Sequence, residues 1–282
     1  MMPRVTQDAF SYCAELVHNS DRDRFIATLF APVQCRASLH ALYAFSLEVA
    51  RVRDLAREAM PGEVRLQWWH EVLQRQREGE ASASPIAVAF LSTIETYRLP
   101  VNALLVLIEA RRFDLYNEPM VTIAQLEDYA INTSSVLFDM AARILGADAA
   151  AAARPAGIAY AITGLLAALP KHAARRQLYM PLQLLDRHGL GPEDVFGGHS
   201  SAPLKAAVAD LRSAARRHLD VAAEMLRSLP QQALPAFLPV ALVRPSLDRL
   251  ERSDIFAPSM LSPWRRQWLM WRATRNLNRL AR

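Results

Sequence analysis

Asp54 and Glu58 stand four residues apart, a spacing that places two carboxylates on one face of a helix. Such a pair can hold Mg²⁺, because a hard cation takes oxygen ligands and a substrate diphosphate completes its shell. Arg51, Arg53 and Arg57 crowd the same acids, so the segment also reads as an ordinary salt-bridged, solvated helix face. A second cluster, Lys171, His172, Arg175 and Arg176, is purely basic. Its arginines can offer bidentate donors to phosphate or carboxylate, or the cluster is a solvated turn between two helices. A third lies near the end of the chain. At 100° per residue, Trp264, Trp268, Trp271, Arg272, Arg275 and Arg279 share one side of a helix, while Leu269, Met270, Ala273, Leu277 and Leu280 share the other. Tryptophan with arginine and no acid suits the headgroup layer of an anionic membrane; the alternative is that the rings fill a groove on the protein's own body.

Other reactive patterns are missing. The seven histidines show no metal spacing, and no nucleophile elbow, P-loop or dinucleotide fingerprint occurs, so hydrolase and nucleotide chemistry have no support. Cys13 and Cys35 are the only cysteines and form no C-x-x-C, which fits a reducing compartment and argues against a disulfide framework or a zinc site.

The elements that would position these groups are helical throughout. Apolar residues recur at three- and four-residue steps, no alternating strand pattern occurs, and prolines punctuate the chain at Pro32, Pro61, Pro85, Pro100, Pro119, Pro155, Pro170, Pro203 and Pro230. The expected helices are 5–18, 33–58, 63–77, 86–97, 101–117, 123–145, 148–169, 204–228, 233–250 and 264–281. The first site helix reads as amphipathic from near Pro32, which puts positions 50 and 54 on one face; Gly146 and Pro170 close two others. Segment 182–202, with four glycines, is the one long loop or lid expected. Asn132-Thr133-Ser134-Ser135 interrupts an apolar helix, with hydroxyls expected to bond back to the preceding turn.

RASLHALYAF at 36–45 and RLQWW at 65–69 resemble the squalene/phytoene synthases, the head-to-head prenyl transferases of the all-α isoprenoid synthase fold. RRFDL at 111–115, the Tyr129 helix closing at Gly146, and RRQLYMP at 175–181 follow in that family's order. The resemblance implies a single domain over 1–282, a helical bundle around a central cavity. It implies two acid-rich Mg²⁺ motifs as well, and here both are largely erased. The first expected Asp is Ala50, leaving Asp54 as a remnant; in the second, Gly164, Ala167, Ala168, Lys171 and His172 stand where the Asn, Arg, Asp and later acids belong. Arg36, Tyr43 and Asp114 match positions the family keeps near its cavity, although a buried ion pair and a core tyrosine would explain them too. Glu48, the lost Asp, Pro170-x-His172-x-x-Arg175-Arg176, AFLP and DIF look like the branch that serves in assembly of respiratory complex I.

With 282 residues, 52% of them apolar, and no linker-like stretch, the chain can build one sizeable core. Its net charge of +5 suggests an anionic partner, and no motif favours nucleic acid. MMPRVTQDAF has neither a signal-peptide core nor a transit pattern, so a protein that stays where it is made is expected. Ala156–Leu169 is too short to cross a bilayer and reads as a buried helix. Three functions follow from these observations. The first is a non-catalytic assembly factor for complex I, working on a subunit or assembly intermediate from the inner face of the cytoplasmic membrane, or from the matrix side in a mitochondrion, with no cofactor. The second is a prenyl transferase with an altered, Mg²⁺-using site. The third is a module that binds an isoprenoid or lipid in the cavity without chemistry.

Overall fold

The computed structural model describes residues 4–55, 58–257 and 260–275. In chain order the helices are α1 Arg4–Ser20, α2 Arg22–Thr28, α3 Val33–Ala50, α4 Val52–Leu55, α5 Ala59–Leu73, α6 Glu78–Ala81, α7 Pro85–Tyr97, α8 Val101–Arg112 and α9 Ile123–Ala130. They continue as α10 Val136–Ile144, α11 Ala150–Ala167, α12 Leu169–Ala174, α13 Leu182–Arg187, α14 Pro192–Phe196, α15 Ala202–Leu226, α16 Leu234–Phe237, α17 Val243–Arg252 and α18 Pro263–Thr274. Short 3₁₀ turns cover Phe113–Leu115, Gln231–Ala233 and Leu238–Leu242, and a π-turn covers Ile131–Ser135. No strand occurs among the described residues, so the all-α reading holds.

Proline and hydroxyl punctuation sets many of the helix starts. Pro32 and Pro100 precede α3 and α8, and Ser84 and Ser201 accept backbone N–H bonds at the starts of α7 and α15, each followed by a first-turn proline. Several expected boundaries shift. Pro170 does not close α11, which ends at Ala167; it sits in the first turn of α12, where its missing N–H costs nothing. Pro155, read as a breaker, lies inside α11. The expected 233–250 helix is divided into α16 and α17 by the 3₁₀ turn Leu238–Leu242, which holds Pro239. Segment 182–202 is not a long loop: it holds α13 and α14, with Gly189 (φ 67°) and Gly198 (φ 69°) following their C-termini in the left-handed region that glycine enters without strain.

Contacts gather the chain into two compact units, neither a contiguous segment. The first takes 1–116, 136–150 and 229–236; in it α1, α3 and α7 pack together, with α5 against α8 and α10 against α3. Phe45 stacks on Phe90 at 4.3 Å and meets Trp69 edge-on at 5.0 Å, a buried aromatic core. Helix α3 is not amphipathic as read: every residue from Ser38 to Ser46 is buried, which marks a helix packed on all sides. Ala41, Ala44, Ser38 and Ser46 are small enough to let neighbouring helices approach. The second unit takes 117–135, 151–228 and 237–282, where α15 packs on α13 and α17, and α18 on the Leu238–Leu242 turn. Within it the π-turn lies tight on α11. A Cβ on Gly157 would fall 2.4 Å from the Ser135 backbone, so only glycine fits. Thr133 bonds back to the Tyr129 carbonyl (2.6 Å) as the sequence suggested, whereas Ser135 donates to the Arg154 carbonyl (2.8 Å).

Candidate functional site

In the first unit the matched residues Arg36 and Tyr43 sit on α3 beside a group the sequence reading missed. Asp21 caps α2, accepting the Arg24 N–H at 3.1 Å and pairing with the Arg24 guanidinium at 2.9 Å. That guanidinium lies 5.3 Å over the Tyr43 ring. Tyr43 is only 3% exposed, and burial pushes its hydroxyl up to about 12, leaving a neutral phenol at physiological pH. Arg36 donates from Nε to the Ala31 carbonyl at 2.9 Å. One turn along, His40 stacks on Phe25 with ring centroids 5.4 Å apart; burial, then the charge of Arg36, holds its imidazole down at about 4. The signal for this group was Asp21-x-x-Arg24, a helix-cap pattern hidden in what read as a connection.

The carboxylates expected on one helix face are not on one helix. Helix α3 ends at Ala50, Arg51 leaves helical geometry (φ −93°, ψ 2°), and Asp54 lies exposed in the separate turn α4. Glu58 is the extended residue before α5 (φ −118°, ψ 159°). Positions 50 and 54, and Asp54 and Glu58, therefore lack the one-turn relation that a continuous 33–58 helix would give. Side chains hold the break: Arg51 donates to Ser20 Oγ and Arg53 to the Leu115 carbonyl, each at 3.1 Å. Arg57 lies outside the described residues. Nearby, Asp114 is buried in the 3₁₀ turn and pairs with Arg111 at 3.0 Å, which fills the structural role open to it.

In the second unit the segment that matches the other metal motif runs through the end of α11 into α12. Gly164 is exposed, and Ala167 and Ala168 are half-buried. Lys171, Arg175 and Arg176 are exposed and His172 half-buried, its ring 4.6 Å from that of Tyr179. Arg176 adopts φ 55°, forms a two-pronged pair with Glu193 and lies 4.7 Å from the Phe196 ring, so it fastens α14 to the end of α12. The Glu193 carboxylate also holds its guanidinium above the ordinary arginine range. Beside His172, a narrow crevice of about 10 Å³ between Ile162, Leu166, Leu169 and Tyr179 has room for roughly one water. The structure thus gathers Lys171, His172, Arg175 and Arg176 at one turn, and Arg36 with Tyr43 on one helix.

The Mg²⁺ sites of the resembled family need clustered carboxylates, and the residues present do not fit. Asp54 is the one acid left at the first motif, and the second offers alanines, Lys171 and His172. Among the described residues no three His, Cys, Asp or Glu side chains gather closely enough to hold a metal ion.

Helix α18 keeps the division expected from its wheel. Met270 and Ala273 are buried and Leu269 is half-buried, while Trp264, Trp268 and Trp271 are 82%, 50% and 44% exposed. Arg272 stands over Trp268 at 5.2 Å and Arg275 over Trp271 at 3.9 Å. Leu277, Arg279 and Leu280 lie outside the described residues.

Comparison with known proteins agrees in sequence and in fold. The squalene/phytoene synthase family model matches residues 17–272. A mouse protein named NADH dehydrogenase (ubiquinone) complex I, assembly factor 6 is 31% identical over 254 residues, covering 88% of this chain and 76% of its own. The 15-cis-phytoene synthase of Synechocystis is 22% identical, over 88% of this chain and 78% of its own. Among solved structures, a dehydrosqualene synthase in complex with a ligand superimposes with a TM-score of 0.82 over 96% of both chains at 17% identity, which shows a shared fold.

Proposed function

The chain belongs to the squalene/phytoene synthase family, and we propose that within it the protein is a non-catalytic assembly factor for respiratory complex I. One observation carries the proposal: the 31% identity to a complex I assembly factor extends over 88% of the chain, and so is not confined to a motif. The erased carboxylates support it. Ionising an allylic diphosphate leaves negative charge that metal ions stabilise by several kcal/mol, and a chain with one acid at the first motif and none at the second has no means of supplying it. What stays is a helical scaffold with a basic turn at Lys171 and Arg175, suited to an acidic client rather than to a reacting diphosphate. The protein then needs no cofactor. It works on a complex I subunit or assembly intermediate, from the cytoplasmic face of the bacterial membrane or the matrix side of a mitochondrial one.

The test is co-isolation. Tagged protein recovered from a respiring host carries complex I subunits in sub-stoichiometric assembly intermediates, and purified protein given farnesyl or geranylgeranyl diphosphate with Mg²⁺ releases no pyrophosphate above a heat-killed control. Turnover to a C30 or C40 product, with no complex I subunit retained, overturns the proposal in favour of a prenyl transferase.

A further inference from the structure

Three exposed tryptophans on one helix are rare on a soluble surface, where indole is among the most buried side chains on average. They stand at 264, 268 and 271, steps of four and three residues, and so form a stripe along α18; Met260, just ahead of the helix, is 69% exposed. The arginines of the stripe are not scattered. Arg272 and Arg275 each lie four residues after a tryptophan and cover its ring, at 5.2 and 3.9 Å. A guanidinium held over a ring engages it through its charge and keeps N–H groups that can still donate to an anion. Neither arginine forms a salt bridge among the described residues, and α18 carries no acid.

We infer that α18 is a receptor for the phosphate groups of an anionic phospholipid surface, with Arg272 and Arg275 as the phosphate ligands and Trp268 and Trp271 as the platforms that hold them. The inference rests on the assembly reading only in expecting a membrane nearby. A ring that supports a guanidinium lies at the same depth as the phosphate that guanidinium binds, so the helix settles in the headgroup layer rather than in the hydrocarbon. Its 12 residues span about 18 Å, short of the roughly 30 Å hydrocarbon core, and they lie along the surface. An acidic protein patch would satisfy the two arginines but would leave Trp264 and Met260 in water. A lipid interface satisfies all of them together, which decides the occupant.

The experiment uses the full chain with phosphatidylcholine vesicles, with and without phosphatidylglycerol, in a flotation assay. Phosphatidylglycerol raises affinity at least tenfold at low salt, and the gain shrinks as salt screens it. Arg272→Gln with Arg275→Gln removes most of that gain without changing the melting temperature, since both side chains are exposed. Trp268→Phe with Trp271→Phe keeps a platform and loses less than the corresponding alanine pair. Bromine placed near the headgroup quenches tryptophan fluorescence more than bromine deep in the acyl chain. Equal binding to both vesicle types, an unaffected arginine variant, stronger deep quenching, or competition by inorganic phosphate as effective as by vesicles would each overturn the inference. A deletion strain with normal complex I would instead remove the assembly role and leave the vesicle result standing.

Discussion

Lowering the pH should destabilise the fold through His40. The imidazole is 7% exposed, stacked on Phe25 and close enough to Arg36 to feel its charge, and its folded-state pKa of about 4 lies below the ordinary 6.5. The unfolded chain therefore binds a proton first as pH falls. Stability that is whole above pH 6.5 drains away toward pH 4. The shift of about 2.5 units corresponds to roughly 3 kcal/mol in full, of which about 1.4 is lost by pH 5.5 and about 2.5 by pH 4.5. His40→Leu removes the ionisation. The leucine variant loses the Phe25 stack and some stability at pH 7, but the gap between it and the parent protein narrows by those amounts on acidification. Urea unfolding of both proteins at pH 7.0, 5.5 and 4.5 measures it. Parallel stability profiles for the two proteins would refute the reasoning, because they would mean that His40 protonates as easily in the folded state as in the unfolded one.

Other consequences concern backbone and packing. Arg98 takes φ 50° after α7 and its side chain makes no ion pair among the described residues, so Arg98→Gly should stabilise the fold by up to about 1 kcal/mol, a rise of a few degrees in melting temperature. Arg176→Gly relieves the same strain at φ 55° but gives up the Glu193 pair and the Phe196 contact, so calorimetry should show a smaller gain than for Arg98→Gly. Gly157→Ala, whose Cβ meets the Ser135 backbone at 2.4 Å, should cost about 1–3 kcal/mol by urea titration. Ala50→Asp should restore no pyrophosphate release, because α3 ends at that residue and the second motif still lacks acids.

How legible this was in the sequence depends on what kind of force fixes each feature. Helix starts are readable where a proline sets them locally, as at Pro32 and Pro100, whereas the Ser201 cap starts α15 two residues ahead of the expected 204. The sidedness of α18 was readable because 3.6-residue periodicity is a local property. The break after Ala50 was not. It is held by Arg51 reaching Ser20 and Arg53 reaching Leu115, contacts 31 and 62 residues away that no local pattern announces. The same limit hid the Arg24 guanidinium over Tyr43, and it turned α3 from an apparently amphipathic helix into one buried on all sides. Glycines misled in another way. Gly189 and Gly198 signalled a loop, yet they follow short helices in a conformation glycine tolerates. Erasure of the acidic motifs, by contrast, needed only residue identities at matched positions.

Assembled complex I, quantified on native gels in a respiring host that lacks this protein, tests the central claim most directly. The account predicts a clear fall in the assembled complex and in rotenone-sensitive NADH oxidation, restored by the wild-type chain and by Asp54→Asn alike, with squalene, hopanoid and carotenoid pools unchanged. Normal complex I in that strain, with depleted isoprenoids that Asp54→Asn fails to restore, would contradict it.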